Sequence, residues 1–311
     1  MPGFSKTPRW DDDARDPAAR ARRRSEAADP RRLHRRRRPC LRPAGRARGP
    51  TGGAARRPRR PRTGRPTIQG LVALFDTSDG RLLALMDSIE ITLLRTGAAT
   101  ALAARYLARE DSATATICGC GTQGRIQLEA IVKTRPIRRV FAYDSDHAVT
   151  SRFAQERSGT LGVDVRPADD LVAAVRQSDI CVTCTPARRA VIGPADVRPG
   201  TFIAAVGADS EDKQELAPEL LCAARVVVDN LEQCATIGEL HHALTLGLVT
   251  RESVHAELGE LIAGTATGRR SRDEITIFDS TGTAVQDVAP AALVYERARA
   301  HGSVPSLDLA S

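Results

Sequence analysis

Four stretches of this chain carry residues whose types and spacing could do chemistry. The first, "TATICGCGTQGRIQLEAIV", places Gly119, Gly121 and Gly124 in a G-x-G-x-x-G pattern. That pattern is informative only where a strand precedes it and a helix follows, and an apolar run and a helical pattern flank it here. Gly119 would permit the tight turn, Gly121 would let a pyrophosphate approach the backbone, and Gly124 would let helix pack on strand. The phosphates would then meet the free N–H groups and positive end of the helix. Twenty residues after Gly124, the next strand's end, "FAYDSD", places Asp144 where an acid binds adenosine ribose hydroxyls. A carboxylate there repels a 2′-phosphate and no arginine follows at once, so the pattern predicts NAD rather than NADP. Ligands of open α/β sheets lie beyond the carboxyl ends of the strands. Two more runs should therefore face the nicotinamide: "CVTCTPA", with Thr183 and Thr185, and "IAAVGADSEDKQEL", with Asp209 and Lys213. An acid at the end of a buried strand is a candidate general acid–base. A helix-capping aspartate fits the same residues.

Other reactive side chains read as packing. Seven cysteines suit a reducing compartment, and Cys118, Cys181 and Cys184 sit in apolar runs as small buried residues. Cys181 and Cys184 are spaced C-x-x-C, but no second ligand pair follows, so zinc or redox work is not expected. The His241–His242 pair reads as the surface of a helix rather than as a metal site.

These groups need elements to hold them. "LVALFD" and "RLLALMD", joined at Ser78-Asp79-Gly80, predict a hairpin, because an Asp-Gly pair tolerates positive φ. "SIEITLLRTGAATALAARYLA" repeats apolar residues at three and four and predicts a helix. From residue 113, "TATIC", "RVFAY", "DICVTCT", "TFIAAVG" and "ARVVVD" alternate with amphipathic stretches, and "EITIFDSTG" leads into "AVQDVAPAALVYERARA". Continuous apolar runs are what strands covered on both faces show, and strands alternating with helices predict a doubly wound parallel sheet of Rossmann type.

Charge divides the chain sharply. Residues 1–65 hold 21 arginines and one lysine against six acids, a net +16, whereas the rest carries 24 basic and 32 acidic groups, a net −8. The first segment has no periodic apolar positions and cannot offset its ordering entropy, so it is expected to be disordered. No stretch approaches the ~18 apolar residues of a membrane span, and no apolar leader is evident, which makes the cytoplasm the default.

Together "GRPTIQGLVALFD", "LLRTGAATALAARYLA", "GCGTQGRIQ", "FAYDSD", "AVGADSEDKQEL" and "FDSTGTAVQD" resemble the ornithine cyclodeaminase and mu-crystallin family, colinearly from about Gly64 to His301. The resemblance implies a homodimer paired through a smaller substrate domain, and NAD(P) chemistry at the α-carbon of an amino or imino acid. It divides the chain into residues 1–63, a substrate and dimerisation part at 64–108 with 286–311, and a dinucleotide-binding domain at 109–285. It further implies that Thr67 and Arg95 reach the cofactor and substrate region. Thr122 and Gln123 would lie on the pyrophosphate, and Asp144 on the ribose. Thr185, Val206, Gly207, Ala208, Lys213 and Ser280 would line the nicotinamide side, with Thr281 at the substrate. Asp209 resembles the family's catalytic acid, and Arg95 would clamp a carboxylate by paired hydrogen bonds; a solvated helix cation is the plainer reading of Arg95. The expected activity is ornithine cyclodeamination to proline and ammonia. Alanine dehydrogenation and ketimine reduction are alternatives within the family.

One departure stands out. Family members place a lysine and an arginine ahead of the Gly-x-Pro-Thr segment, yet this chain has only Lys6, Lys133 and Lys213. Nothing in residues 7–63 resembles the strands that would carry them. The abrupt change at Thr63-Gly64 and the Arg/Pro/Ala/Gly composition before it suggest another reading frame of a GC-rich coding sequence. Two readings of a different class follow: a catalytically impaired NAD-binding protein, and a nucleic-acid-associated protein using the arginine tail. The tail would bind phosphate non-specifically, but it offers only Trp10 as an aromatic and no reading module.

Overall fold

The computed structural model describes residues 70–302 and 304–306. The arginine-rich segment, Thr67 and the expected change of frame lie outside the described residues. A hairpin opens the described chain, with β1 (Leu71–Phe75) antiparallel to β2 (Leu82–Asp87). Its turn closes as the Asp-Gly pair requires. Gly80 takes a φ of +74°, Asp76 accepts from the backbone N–H of Ser78, and Asp79 accepts from that of Arg81. Helix α1 (Ile89–Leu107) follows.

Strands and helices then alternate: β3 (Thr114–Cys118), α2 (Thr122–Thr134), β4 (Arg139–Tyr143), α3 (His147–Leu161), β5 (Asp164–Pro167), α4 (Leu171–Arg176), β6 (Ile180–Thr183), β7 (Arg188–Ile192) and β8 (Phe202–Ala205). Next come β9 (Gln214–Leu216), α5 (Pro218–Ala223), β10 (Arg225–Val228), α6 (Leu231–Ile237), α7 (Glu239–Thr245), β11 (Ala256–Glu257), α8 (Leu258–Ala263), β12 (Thr276–Asp279) and α9 (Ala284–His301). Eight strands form one parallel sheet in the order β11-β10-β12-β8-β6-β3-β4-β5, and β7 pairs with β9 in a separate two-stranded ribbon. This is the doubly wound α/β sheet that the alternation predicts.

The strands read as continuous apolar runs because both faces are covered. Side chains alternate across the sheet. On one face Ala115, Ile117, Ile180, Val182, Phe202, Ala204, Val227 and Phe278 pack with Leu107, Leu128, Phe153 and Leu261 from α1, α2, α3 and α8. On the other, Cys118, Cys181, Ile203, Ala205, Val226, Val228 and Ile277 pack with Val175, Leu220, Cys234 and Leu240 from α4 to α7. Each fully buried large side chain contributes about 1.5–3 kcal/mol relative to exposure.

A smaller core joins Leu74 of the hairpin to Ile91 of α1 and Ala291 of α9. Helix α1 therefore serves both cores, since Ala99, Ala103 and Leu107 belong to the sheet's. The opposite face of the hairpin presents Leu71, Phe75 and Leu85 to solvent. Among the described residues, no helix is long and apolar enough to cross a membrane.

Candidate functional site

The glycine turn between β3 and α2 holds two glycines that the fold requires and one that it does not. Gly119 has a φ of +104°, and a Cβ there would stand 2.8 Å from the Cys184 carbonyl oxygen. Gly124 presses its helix onto the strand end, where a Cβ would fall 2.1 Å from the Gly119 oxygen. Gly121 is exposed, and a Cβ would meet nothing within 4 Å. It is also the N-cap of α2, without a side-chain cap and with no acid in the first turn. The helix thus offers uncapped N–H groups and its positive end at an open surface, a site for an anion. Beside it, Gln123 carries a buried Oε1 with no hydrogen-bond partner among the described residues, and Thr122 is exposed.

Asp144 closes the turn from the end of β4. Its Oδ2 accepts the backbone N–H of Cys120 at 2.9 Å, and its Oδ1 that of Asp146 at 3.1 Å. The acid expected on a ribose is thereby held against the glycine loop. The Cys120 thiol is pushed up to about 12 by burial and then by the Asp144 charge, and it donates to the Tyr143 carbonyl. Burial likewise raises Cys118, Cys181 and Cys184, so these thiols are inert packing.

Sheet order carries the row onward. The ends of β4, β3, β6, β8 and β12 are neighbours along one edge, so Asp144, Gly119, Thr185, Val206–Gly207 and Ser280 follow one another in space. Thr183 is fully buried beneath this edge, beside Glu215, and does not reach the surface. Thr185 is half-buried and gives both its N–H (2.6 Å) and its hydroxyl (2.8 Å) to Glu215 Oε1. Gly207 N–H donates to Glu215 Oε2 at 2.9 Å, and Ala208 is buried.

Asp209 then emerges, with its side chain 59 % exposed and paired through Oδ1 with the Lys213 ammonium. Helix α7 fixes the far end of this loop, where His242 Nε2 donates to the Lys213 carbonyl at 2.7 Å. His242 is therefore a loop anchor rather than plain helix surface.

The last strand end is organised by Asp229. It accepts the Ser280 hydroxyl at 3.0 Å, the Thr281 hydroxyl at 3.2 Å and the Gly282 N–H at 2.6 Å. Arg95 lies directly over Gly282, whose φ is +79° and where a Cβ would fall 2.4 Å from the guanidinium. Its Nε donates to Asp287 and its Nη1 to Gln286 at the start of α9, and only 14 % of its side chain is exposed. Arg95 is thus fastened to the start of α9 and is not a solvated helix cation.

Three buried carboxylates escape sequence reasoning. Glu215, Glu239 and Asp279 are each shielded from solvent, and none joins an ion pair among the described residues. Burial raises Glu215, lifts Glu239 well above the carboxylate range, and brings Asp279 to about 7. Backbone N–H groups take the place of cations. Glu239 accepts from Glu215 and Leu216, and Asp279 accepts from Glu239 and Leu240. The available signal was an acid inside each of "KQEL", "GELHHAL" and "TIFD".

Comparison with known proteins agrees with this layout. The model of the ornithine cyclodeaminase/mu-crystallin family matches residues 54–302. The alanine dehydrogenase of Archaeoglobus fulgidus is 45% identical over 243 residues, covering 78% of this chain and 74% of the relative. An archaeal alanine dehydrogenase dimer solved with bound NAD is similar at a TM-score of 0.76 and 42% identity, over 79% of this chain and 76% of that one. The Δ1-pyrroline-2-carboxylate reductase of Thermococcus litoralis, solved with NADH and L-proline, has a TM-score of 0.76 and 36% identity, over 78% and 76%.

Proposed function

This chain belongs to the ornithine cyclodeaminase/mu-crystallin family, and from that premise we propose an NAD-dependent oxidoreductase acting at the α-carbon of a small amino acid. The observation that carries this reading is the row of strand ends, which runs from an uncapped helix N-terminus and Asp144 to Thr185, Gly207, Asp209 and Ser280. The cofactor is NAD. The open face and uncapped N–H groups at Gly121 fit its pyrophosphate, and Asp144 fits its ribose. Bound there, NAD⁺ supplies a hydride acceptor at nicotinamide C4.

The chain's own groups do the rest. The N–H groups of Gly121, Thr122 and Gln123 hold phosphate oxygens, and Thr185, Gly207 and Ser280 orient the ring. Arg95, fastened by Asp287, is assigned to the substrate carboxylate. Asp209 uses Oδ2, the oxygen Lys213 does not engage, to take a proton from the water that attacks the substrate's imine carbon. Collapse of that adduct releases ammonia and leaves a 2-oxo acid. The exposed hairpin face at Leu71, Phe75 and Leu85 is suited to pairing with a second copy.

Substrate preference rests on likeness. The 45% identity to an alanine dehydrogenase moves the first choice from L-ornithine to L-alanine. The test is to incubate the purified chain with NAD⁺ and either amino acid. Alanine should yield pyruvate, ammonia and an equivalent of NADH. Proline and ammonia from ornithine without net NADH, and no pyruvate from alanine, would make the chain a cyclodeaminase instead.

A further inference from the structure

Glu215 touches no solvent, yet it grips two of the strand ends assigned to the nicotinamide. Its Oε1 takes both donors of Thr185 beyond β6, and its Oε2 takes the Gly207 N–H beyond β8. The fit is close, for a Cβ at Gly207 would lie 2.5 Å from the Glu215 carboxyl. Glu215 is itself fastened, since its own N–H and that of Leu216 donate to Glu239 at 2.7 and 3.0 Å. Glu239 is fastened in turn by Asp279 at the end of β12, which accepts the N–H groups of Glu239 and Leu240. Three carboxylates thus stitch the ends of β6, β8, β9 and β12 through backbone donors, and no cation among the described residues competes for them.

We propose that Glu215 is a positioning residue for the nicotinamide half of the cofactor: by clamping Thr185 and Gly207 it sets the width between two strand ends and the course of the loop that presents Asp209. This rests on the reading of the crevice as the NAD site. Glutamate suits the role because each of its two oxygens can be given to a different strand. Glutamine keeps an acceptor for Thr185 but turns an N–H₂ toward the Gly207 N–H, leaving that buried donor unpaired.

The test compares NADH with ADP-ribose, which carries the adenosine and pyrophosphate but no nicotinamide. Both are titrated by calorimetry against the full chain and E215Q, with thermal melts to confirm folding. E215Q should hold ADP-ribose within about twofold of the parent chain and bind NADH roughly fivefold or more weakly, the worth of one hydrogen bond. Should E215Q fail to fold, E215D carries the test with the same split expected. It keeps both acceptors but draws them back by one carbon. Parallel losses for both ligands, or no loss for either, overturn the positioning role while leaving the NAD site standing. A parent chain that binds neither ligand overturns the NAD site, and the role of Glu215 with it.

Discussion

Gly121→Ala separates a glycine kept for its ligand from one kept for its fold. Gly121 has a φ of −79°, open to any L-residue, and its added Cβ would meet no atom within 4 Å. Alanine caps a helix slightly less well than glycine, so the fold should lose at most about 1 kcal/mol, or ~2–4 °C in melting temperature for a domain of this size. The methyl group nevertheless stands where a pyrophosphate must approach. Losing one charge-assisted hydrogen bond there, worth about 1.5–3 kcal/mol, should weaken NADH by roughly 10- to 100-fold. Gly124→Ala is the contrast. Its Cβ would lie 2.1 Å from the Gly119 oxygen and 3.2 Å from Ile117, so α2 must lift off the sheet at a cost of ~1–3 kcal/mol or more. Fluorescence titration with NADH and a melting curve read the two effects separately. A Gly121→Ala variant that binds NADH like the parent, or a Gly124→Ala variant that melts like it, would refute the assignment of roles within the turn.

Asp144→Ser should narrow the preference for NADH over NADPH, expected to be at least about tenfold in the parent, because the repelling carboxylate is gone; equal affinities in the parent chain would count against Asp144 as the ribose ligand. Asp209→Asn should cut turnover by roughly 10²–10⁴ while cofactor affinity stays within a few fold, measured as NADH formed from alanine. Asp279 titrates near 7 in the fold against 3.8 as its ordinary value, with burial as the main cause. Its contribution to stability is therefore fully present below about pH 4 and lost as pH rises through 7, with a ceiling of about 4 kcal/mol. Asp279→Asn, melted across that range, should show a flatter pH dependence. Asp229, Glu239 and Cys234 face the same carboxyl, and Glu239 is also raised by burial, so an unchanged slope would move the titration to Glu239.

Much of the layout was legible because it follows from local rules. "TATIC" and "RVFAY" match β3 and β4 to the residue, since both are apolar runs between clear turns, β3 buried on both faces and β4 burying Val140 and Ala142 with Phe141 and Tyr143 half-buried opposite. The glycine spacing was legible because Gly119 and Gly124 answer to distinct steric demands set by the turn itself. β5 was not, because it is an edge strand that buries only Val165 among polar neighbours. The anchoring of Arg95 was not legible because its partners Asp287 and Gln286 lie far along the chain. For the same reason Glu215 could not be recognised as a clamp. Its donors lie at Thr185 and Gly207, and only the order β12-β8-β6 brings them to it.

That order has a consequence for how the molecule comes into being. β12 is the final strand among the described residues, yet it sits between β8 and β10. As synthesis proceeds from the N-terminus, β8 and β10 emerge first, with the place between them unfilled. They expose the apolar flanks that Ile277 and Phe278 later cover. Closing the sheet means bringing residues 276–279 back across some seventy residues to β8, a non-local pairing of the kind that slows folding. Until β12 is made, the nascent chain should carry that uncovered apolar edge, the kind of surface that chaperones bind. Asp279 rides on that strand and fastens Glu239, so the clamp at Thr185 and Gly207 is completed only by the same late insertion.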